Sequence, residues 1–403
     1  MSFQQGLSGL NAAAKNLDVI GNNIANSNTM GFKGSGAQFT DVFASSAGGS
    51  GSTNVGLGTA IGVVRQTFGQ GNISVTSNPL DVAINGQGFF RMDTNGTVSY
   101  SRNGQFSLDK NGYIVNASGQ KLTGYPPAAG GGVTTAAPVA LQVSATDLAP
   151  SQTVAATAKL NFDSRQSALS SAAFNIADPA TYEGATSMSV YDTLGNPHTL
   201  SLYFVKTAAN SWDTFAASDG VQVGAGAAGT VGFNSSGALV SGSSIALSIP
   251  VTTGAANIAM TLDLTGSTQF GDSFGVNSIS QDGYGAGKLT GYSVGSDGIV
   301  LGRYSNGQSR AQGQIALATF TNQEGLAQLG SNQWAESSAS GPPLTGSPNS
   351  GNLGALQSGA LEEANIDLTA ELVDMITAQR IYQANAQTIK TQDSVLQTLV
   401  NLR

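Results

Sequence analysis

Few residues in this sequence have the types and spacing that chemistry requires. His198, in the stretch GNPHT, is the single histidine among 403 residues, and no cysteine is present. A catalytic triad or a multi-histidine metal site would depend on one imidazole, and zinc sites that need sulfur are excluded. We therefore predict that His198 is a solvated side chain beside a turn.

Two short acidic stretches look like the start of a calcium-binding loop. They are DTNG at Asp93 and DKNG at Asp109. Neither continues through alternating oxygen ligands to a glutamate at the twelfth position, as such a loop requires. An Asn-Gly pair is typical of a two-residue hairpin turn, so we predict β-hairpins at both places.

Two further motifs fail as cofactor or catalytic sites. NGQGFFR places Gly86 and Gly88 as in a dinucleotide-binding fingerprint, but Arg91 holds the third position and strand-forming residues follow. We predict close strand packing or a bulge there.

Glu362 and Glu363 would point about 100° apart on a helix, so we predict a solvated face near a helix start. The sequence predicts no enzyme, no cofactor and no metal site.

The composition indicates a turn-rich β protein with a neutral polar surface. Glycine contributes 53 residues and charged residues make up 10% of the chain, against usual shares of about 7% and about 25%. The net charge of −8 provides no basic field, which disfavours nucleic acid and anionic membranes as partners. No apolar run of about 18 residues is present, so we predict no membrane insertion.

Both ends of the chain carry apolar residues at the alternating four-three spacing of a heptad seam, which predicts two helices. At the N-terminal end these residues are Phe3, Leu7, Leu10, Ala14, Leu17 and Ile24. At the C-terminal end they are Leu361, Leu368, Leu372, Met375, Tyr382, Ala386, Ile389, Leu396 and Val400. Asp367 is a predicted N-cap, and Glu371 adds negative charge near the positive end of the second helix. Such seams are buried either in an intramolecular bundle or against other copies of the chain.

The middle of the chain consists of short alternating runs closed by turn dipeptides, which predicts β-hairpins. The dipeptides are Asn95-Gly96, Asn103-Gly104, Asn111-Gly112, Gly195-Asn196, Asp282-Gly283 and Asp297-Gly298. A later β block alternates at Met188, Val190, Leu200, Leu202 and Phe204. Trp212 follows this block and is a predicted core residue.

The stretch ANSNTMGFK, from Ala25 to Lys33, resembles the signature of the bacterial flagellar rod and hook family. The likeness continues through QGNISVTSNPLDVAINGQGFFRM and YSRNGQFSLDKNGYIVNASGQKLTGYP, and returns near the C-terminal end in GALEEANIDLTAELVDMITAQRIYQANAQTIKTQDSVLQTLVNLR. An insertion at 145–284, containing VYDTLGNPHTLSLYFVK, is similar to the outer domain of hook subunits and favours hook over rod. The glycine-rich tract from Gly220 to Gly242 departs from the family's pattern.

The resemblance implies a multidomain fold that combines α-helices with all-β domains. The terminal helices would form a coiled-coil-like inner domain, and two β-rich domains would follow in tandem, the outermost inserted in the other. The implied boundaries are 1–25 and 362–403 for the helical inner-tube domain, 26–70 and 340–361 for an extended connecting segment, 71–144 and 285–339 for the first β-rich domain, and 145–284 for the inserted outer domain.

The function implied by the resemblance is that of a structural subunit of the flagellar hook. Such subunits self-assemble into a curved, flexible, hollow tube that transmits motor torque to the filament. The implied partners are further copies of the chain, the distal rod, the hook cap, the hook-filament junction protein and the flagellar type III export apparatus. The seam residues, apart from Leu361, are the predicted polymerisation interface.

The expected location is the extracellular part of the flagellum. The first residues lack the basic and apolar regions of a secretory signal, so we expect export without a cleaved signal peptide. Two alternatives remain: a distal rod protein of the basal body, and a secreted β-rich adhesin or fibre protein. An adhesin would share the Gly and Asn turns but has no reason for heptads at both ends.

The family motif itself is predicted to be a hinge between the helical and β-rich parts. Its residues are Ala25, Asn26, Asn28, Thr29, Gly31, Phe32 and Lys33. The amides of Asn22, Asn23, Asn26 and Asn28 can satisfy backbone groups where the first helix ends. Gly31 permits a turn that a side chain would resist, and Phe32 offers an anchor.

Overall fold

The computed structural model describes residues 2–42, 56–128, 132–134, 136–144 and 146–401. This described part is mostly β-structure, with one α-helix near each end. The chain divides into two compact units. Unit 1 consists of Met1–Ala145, Gly291–Arg303 and Ser309–Arg403, and unit 2 consists of Thr146–Thr290 and Tyr304–Gln308.

The elements before the insertion begin with the first helix. They are α1 (Ser2–Ala25), β1 (Ser35–Val42), β2 (Gly58–Gln66), β3 (Ile73–Val75), β4 (Val82–Asn85), β5 (Phe89–Thr94), β6 (Thr97–Ser101), β7 (Ser107–Leu108), β8 (Ile114–Val115), β9 (Lys121–Tyr125) and β10 (Val139–Ala140).

The strands of unit 2 follow in chain order. They are β11 (Ala155–Asp163), β12 (Gly184–Tyr191), β13 (Pro197–Ala208), β14 (Ser211–Ser218), β15 (Val221–Val223), β16 (Gly229–Phe233), β17 (Leu239–Ser241), β18 (Ser244–Ile249), β19 (Ile258–Asp263), β20 (Thr268–Phe270) and β21 (Gly275–Gln281). Two short 3-10 helices, Ser171–Ala173 and Pro179–Thr181, lie between β11 and β12.

The elements that follow β21 end with the second helix. Its elements are β22 (Leu289–Val294), β23 (Ile299–Tyr304), β24 (Ser309–Ile315), β25 (Leu317–Thr319), β26 (Ala327–Gly330), β27 (Gln333–Ala335), β28 (Leu344–Gly346), β29 (Ala355–Ser358), β30 (Ala360–Glu362) and α2 (Leu368–Asn401). A third 3-10 helix, Gln323–Gly325, precedes β26.

The start of α2 confirms one sequence prediction and corrects another. Asp367 is the N-cap, because its Oδ1 accepts hydrogen bonds from the backbone N–H groups of Thr369 at 2.9 Å and Ala370 at 3.2 Å. Leu361, predicted as a helical seam residue, lies instead in β30 and is buried. Its apolar character therefore reflects strand packing, which spacing alone does not distinguish from a helical position.

The main sheet of unit 1 has the strand order β22-β23-β24-β9-β5-β6-β27-β26. The hairpin between β5 and β6 turns at Asn95, with φ of 51°, and Gly96, with φ of 92°. Asp93 Oδ1 accepts the backbone N–H of Gly96 at 3.0 Å, so the DTNG prediction is confirmed. Asp109 likewise closes the turn between β7 and β8 by accepting the backbone N–H of Tyr113 at 2.8 Å.

The NGQGFFR stretch lies where two segments come close together. β4 pairs with β29, and a Cβ placed on Gly86 would lie 3.0 Å from the Cα of Gly354. The φ of Gly86 is +115°, which favours glycine. The prediction of close strand packing is confirmed here.

Two of the six predicted hairpin turns are wrong. Asn103-Gly104 does not connect paired strands, since β6 pairs with β5 and β27 whereas β7 pairs with β8. A Cβ on Gly104 would lie 1.7 Å from the carbonyl oxygen of Val82, so this glycine is needed for close backbone approach. Asp282-Gly283 follows β21, which pairs with β11, and a Cβ on Gly283 would lie 2.2 Å from Thr153 Oγ1.

Unit 2 contains two sheets around one apolar core. One sheet has the order β18-β19-β11-β20 with β21 on β11, and the other has β12-β13-β14-β16-β17 with β15 on β14. The predicted alternation is confirmed, because Leu200, Leu202 and Phe204 on β13 are fully buried. Trp212 is buried against Phe162, and its Nε1 donates to Gln269 Oε1 at 3.1 Å.

The prediction that His198 is solvated is wrong. Only 7% of this residue is exposed, and both ring nitrogens face carboxylates. The Nδ1 lies 2.7 Å from Asp219 Oδ2, and the Nε2 lies 3.4 Å from Asp192 Oδ2. The two aspartates come from different turns, so their convergence on His198 is a property of the folded sheet that the GNPHT stretch does not reveal.

Candidate functional site

The predicted hinge lies in a region of unit 1 that we call the junction, defined as residues 22–35, 66–71 and 362–371. It contains the end of α1, the chain that enters β3, and the start of α2. These three segments are distant in sequence, and hydrogen bonds and ion pairs hold them together.

Asn23 joins α1, β1 and α2. Its Nδ2 donates to the carbonyl oxygen of Ser35 at 2.8 Å, and its Oδ1 accepts the N–H of Ser35 at 3.0 Å. The same Nδ2 lies 2.9 Å from Glu371 Oε1. Since Asn23 is only 2% exposed, these bonds are shielded from water and fix the direction in which the chain leaves α1.

Gly31 makes the turn that the sequence predicts. Its φ is +70°, and its N–H donates to the carbonyl oxygen of Glu362 at 2.7 Å. A Cβ at this position would lie 2.5 Å from the backbone nitrogen of Asn103 and 2.6 Å from the carbonyl carbon of Arg102. The position therefore requires glycine both for its backbone angle and for its close contacts.

Three charged side chains meet beside this turn, and we call Lys33, Arg102 and Glu362 the charge cluster. The Nζ of Lys33 donates to Glu362 Oε1 at 2.6 Å, and the Nη1 of Arg102 donates to Glu362 Oε2 at 3.1 Å. The side chains of Lys33 and Glu362 have no exposed area, and that of Arg102 is 3% exposed. One carboxylate thus pairs with two cations in the interior, and the cluster keeps a net charge of +1.

Backbone groups complete the charge cluster. Lys33 Nζ also donates to the carbonyl oxygen of Gly69 at 2.8 Å, and the N–H of Gly71 donates to Glu362 Oε1 at 3.0 Å. Arg102 Nη2 donates to the carbonyl oxygen of Gly86 at 2.9 Å. Burial lowers the pKa of both cations, and the charge of Glu362 opposes this effect. Each cation therefore depends on Glu362 as its counter-charge.

The prediction that Glu362 lies on a solvated helical face is wrong. Glu362 is the last residue of β30, which pairs with β3, and its side chain points into the interior. Glu363 is half-buried and follows the strand. Helix α2 begins at Leu368, six residues after Glu362, so the acidic pair precedes the helix and is not part of it.

Asn365 extends the junction towards α2. Its Oδ1 accepts the N–H of Gly34 at 2.8 Å, and its Nδ2 donates to the carbonyl oxygens of Thr67 at 2.8 Å and Gly69 at 3.1 Å. Side-chain amides of this kind satisfy backbone groups that lie outside helices and sheets. The residues that precede α2 are thus bonded to those that follow α1.

Further bonds connect the junction to the main sheet of unit 1. Trp334 Nε1 donates to Gln66 Oε1 at 2.7 Å, and Asn332 Nδ2 donates to the carbonyl oxygen of Met30 at 3.0 Å. Arg65 and Glu324 form an ion pair of 3.0 Å that is about half-exposed. Trp334 is buried, so its bond is the most shielded of the three.

The other motif residues are arranged around the end of α1. Ala25 is the last residue of the helix, and Asn26 Nδ2 donates to the carbonyl oxygen of Asn22 at 3.0 Å. Thr29 Oγ1 donates to Asn26 Oδ1 at 3.3 Å. Phe32 is half-buried and Asn28 is exposed.

The predicted polymerisation residues all retain solvent exposure. The exposed ones are Phe3, Leu7, Leu368, Leu372, Tyr382, Leu396 and Val400. The half-buried ones are Leu10, Ala14, Leu17, Ile24, Met375, Ala386 and Ile389. Phe3 is 44% exposed and Val400 is 74% exposed, which is unusual for side chains of this size.

The helices pack against each other through small residues. A Cβ on Gly6 would lie 3.1 Å from Ile389 Cγ1, and one on Gly9 would lie 2.7 Å from Asn385 Oδ1. The buried residues of α1 are Gly6, Ala12, Ala13, Ile20 and Asn23. The intramolecular contact therefore uses these positions, and the predicted seam is left partly uncovered.

The sequence does not identify several residues of the junction and the charge cluster. These are Arg102, Asn365, Glu362 as a buried counter-ion and Glu371 as a partner of Asn23. Lys33 is predicted only as the last residue of the family motif. The one available signal is that Lys33, Arg102 and Glu362 each belong to a stretch that carries the family resemblance.

Four families match successive parts of the chain. They are described as flagella basal body rod protein at residues 3–33, flagellar hook protein FlgE/F/G D1 domain at 83–158, flagellar basal body protein FlaE D2 domain at 161–284, and flagellar basal body rod FlgEFG protein C-terminal at 357–402. The first and last of these contain Lys33 and Glu362.

Full-length relatives decide the assignment. The flagellar hook protein FlgE of Salmonella typhimurium is 46% identical over 413 residues, with 100% of both chains covered. The flagellar hook protein FlgE of Escherichia coli is 46% identical over 414 residues, again with 100% of both chains covered. The chain belongs to the flagellar hook protein family.

A solved member of this hook protein family has the same fold. The crystal structure of Helicobacter pylori flagellar hook protein FlgE2 matches with a TM-score of 0.55 at 13% identity, covering 72% of this chain and 100% of that one. Within the described residues, neither helix of the hook-family chain has a stretch long and apolar enough to cross a bilayer.

Proposed function

We propose that this chain is the structural subunit of the bacterial flagellar hook. It assembles with further copies of itself into a curved, flexible, hollow tube that transmits motor torque to the filament. The observation that carries the proposal is the pair of terminal helices, whose apolar side chains stay exposed in a single copy. The identity with full-length hook proteins supports it.

The exposed apolar side chains of α2 support this proposal. Val373, Ile376 and Ile381 are at least half-exposed, in addition to the seam residues. Burying one such side chain completely contributes about 1.5–3 kcal/mol. Several of them covered by neighbouring copies would offset the cost of association, so the fourteen seam residues are the proposed polymerisation interface.

The proposed domain division places the helices at the inner wall of the tube. A coiled-coil-like inner domain is formed by 1–25 and 362–403, and 26–70 with 340–361 connects it outward. The first β-rich domain comprises 71–144 and 285–339, and the outer domain, inserted in the first, comprises 145–284. The FlaE D2 match at residues 161–284 supports a separate outer domain.

The junction is the proposed stiff link between the inner wall and the first β-rich domain. A buried ion pair with additional backbone hydrogen bonds has little freedom to rearrange, because each shift would leave a charge without its partner. Lys33 and Glu362 therefore hold the chain that leaves α1 and the chain that enters α2 in one register.

The outer domain is the proposed sliding part. Only 10% of the chain is charged, and neutral polar contacts are individually weak and exchange with water. Neighbouring outer domains could then shift past each other as the tube rotates while bent. A strongly charged surface would instead favour one fixed register.

The further proposed partners are those of a hook: the distal rod, the hook cap, the hook-filament junction protein and the type III export apparatus. The proposed location is the extracellular part of the flagellum, reached without a cleaved signal peptide. Electron microscopy of the purified protein under polymerising conditions tests the proposal, because a hook subunit forms curved hollow tubes.

A further inference from the structure

His198 lies in unit 2, and it is not among the residues of the proposed polymerisation interface. It is the second residue of β13 and pairs with Val190 of β12. It is also the single histidine of the chain, and so the one side chain whose ordinary pKa lies near neutrality. Its ring is buried and lies between two carboxylates.

Two charged groups face the imidazole from two different turns. Asp219, in the turn after β14, lies 2.7 Å from Nδ1, and Asp192, in the turn after β12, lies 3.4 Å from Nε2. Ionised carboxylates only accept hydrogen bonds. Both contacts are satisfied together only when each ring nitrogen carries a proton, which is the positively charged form of the ring.

Asp192 connects this arrangement to the other sheet of unit 2. Its Oδ2 accepts hydrogen bonds from Thr253 Oγ1 at 2.7 Å and from Asn196 Nδ2 at 2.9 Å. Thr253 lies in the loop between β18 and β19, which belong to the second sheet. The side chain of Asp192 is completely buried, so its charge depends on these donors and on His198.

Asp219 holds the other turn. Its Oδ1 accepts the N–H of Thr199 at 2.8 Å, and its φ is +49°, which is unusual for a residue other than glycine. The carboxylate of Asp219 is thus bonded on both oxygens. Loss of the bond to His198 would leave this turn with one side-chain bond fewer.

We propose that protonated His198 is a pH-sensitive clamp that joins the β12–β13 turn, the β14–β15 turn and, through Asp192, the β18–β19 loop. While the ring is protonated the clamp is closed, and the ends of the two sheets are held together. At alkaline pH the ring loses one proton, one ring nitrogen faces a carboxylate without a hydrogen, and the clamp opens.

The electrostatics of the cluster agree with this geometry. Burial alone would lower the pKa of His198, but the hydrogen bonds and charges of Asp219 and Asp192 outweigh burial and raise that pKa above its ordinary value of 6.5. The bond to His198 lowers the pKa of Asp219. Because the histidine pKa is higher in the folded state, its stabilisation is complete below pH 6.5 and is lost as pH rises through the folded value.

The first experiment needs no variant. Full-length monomeric protein labelled with ¹⁵N-histidine gives a single pair of imidazole resonances, because the chain has one histidine. We expect both nitrogens to be protonated at pH 6 and the titration midpoint to lie above 6.5. A midpoint at or below 6.5 would overturn the proposal.

The second experiment measures the melting temperature of unit 2 in the full-length protein between pH 6 and pH 9.5. We expect a fall of roughly 2–4 °C, the shift that one hydrogen-bonding contribution makes in a unit of this size. His198→Gln should remove the pH dependence and melt near the alkaline wild-type value, and Asp219→Asn should move the transition to lower pH. Asp178→Asn, which alters a turn elsewhere in unit 2, should keep the wild-type pH dependence. A flat wild-type profile would contradict the clamp.

Discussion

The Nζ of Lys33 lies 2.6 Å from Glu362 Oε1, and neither side chain has any area exposed to solvent. The two residues are 329 positions apart. Lys33 ends the motif that follows α1, and Glu362 ends the strand that precedes α2. This ion pair therefore joins the chain that leaves α1 to the chain that enters α2, at the point where the two terminal helices meet the β-strands of unit 1.

Removing the negative charge of the pair should destabilise unit 1. In Glu362→Gln, the cations of Lys33 and Arg102 would remain buried without a counter-charge, and we expect a loss of about 3–5 kcal/mol in the free energy of unfolding. Urea unfolding followed by tryptophan fluorescence would measure it. Glu363→Gln, at the half-buried neighbouring position, should change stability by less than about 0.5 kcal/mol. Equal effects of the two variants would show that the charge cluster is not essential.

Gly31→Ala should damage the junction although it adds only a methyl group. The new Cβ would lie 2.5 Å from the backbone of Asn103 at a φ of +70°, so both steric contact and strain would act. We expect a loss of roughly 2–4 kcal/mol. The matched control is Gly21→Ala, because Gly21 lies inside α1 with nothing within 4 Å of its Cβ position. Gly21→Ala should leave the free energy of unfolding unchanged or raise it slightly. A larger loss of stability in Gly21→Ala than in Gly31→Ala would refute this explanation.

The terminal helices should be stable only in the polymer. An isolated helix pair with its apolar side chains in water is marginal, so we expect the residues of α1 and α2 to be disordered in the monomer and to order on assembly, whereas the charge cluster stays folded. Amide exchange of the soluble monomer tests this. Rapid exchange at Leu10 and Leu372 is expected, with Trp212 in unit 2 as the protected reference. Strong protection of the Leu10 and Leu372 amides in the monomer would be incompatible with the idea.

Short stretches of sequence are enough to predict caps, turns and strand alternation, but they do not predict contacts that form only in the folded chain. The cap at Asp367 and the turn at Asn95-Gly96 depend on atoms a few residues apart, so their spacing predicts them correctly. The burial of Trp212 follows from the alternation of the strands around it.

Two of the errors come from contacts that form only in the fold. Glu362 is buried because Lys33 and Arg102 reach it from 329 and 260 positions away. His198 is buried because Asp192, six positions away, and Asp219, 21 positions away, both approach its ring. A carboxylate or an imidazole alone gives no indication of such partners. Glycine at Gly104 was interpreted as a turn residue for the same reason, since its contact with Val82 appears only in the fold.

Deleting residues 145–284 should separate assembly from curvature. The proposed interface lies on α1 and α2, outside the deleted segment, so we expect polymers to form. They should be straight, because the contacts proposed to slide between neighbouring outer domains would be missing. Electron micrographs of the deletion variant would show it, and stably curved polymers would argue against this role of the outer domain.

The most direct test of the central claim is negative-stain electron microscopy of the purified full-length protein under polymerising conditions. If the chain is a hook subunit that assembles through its terminal helices, the micrographs will show curved hollow tubes, and a variant with Leu372→Asp will show none. Straight rigid rods, solid fibres, or tubes that form equally well with Leu372→Asp would contradict the account.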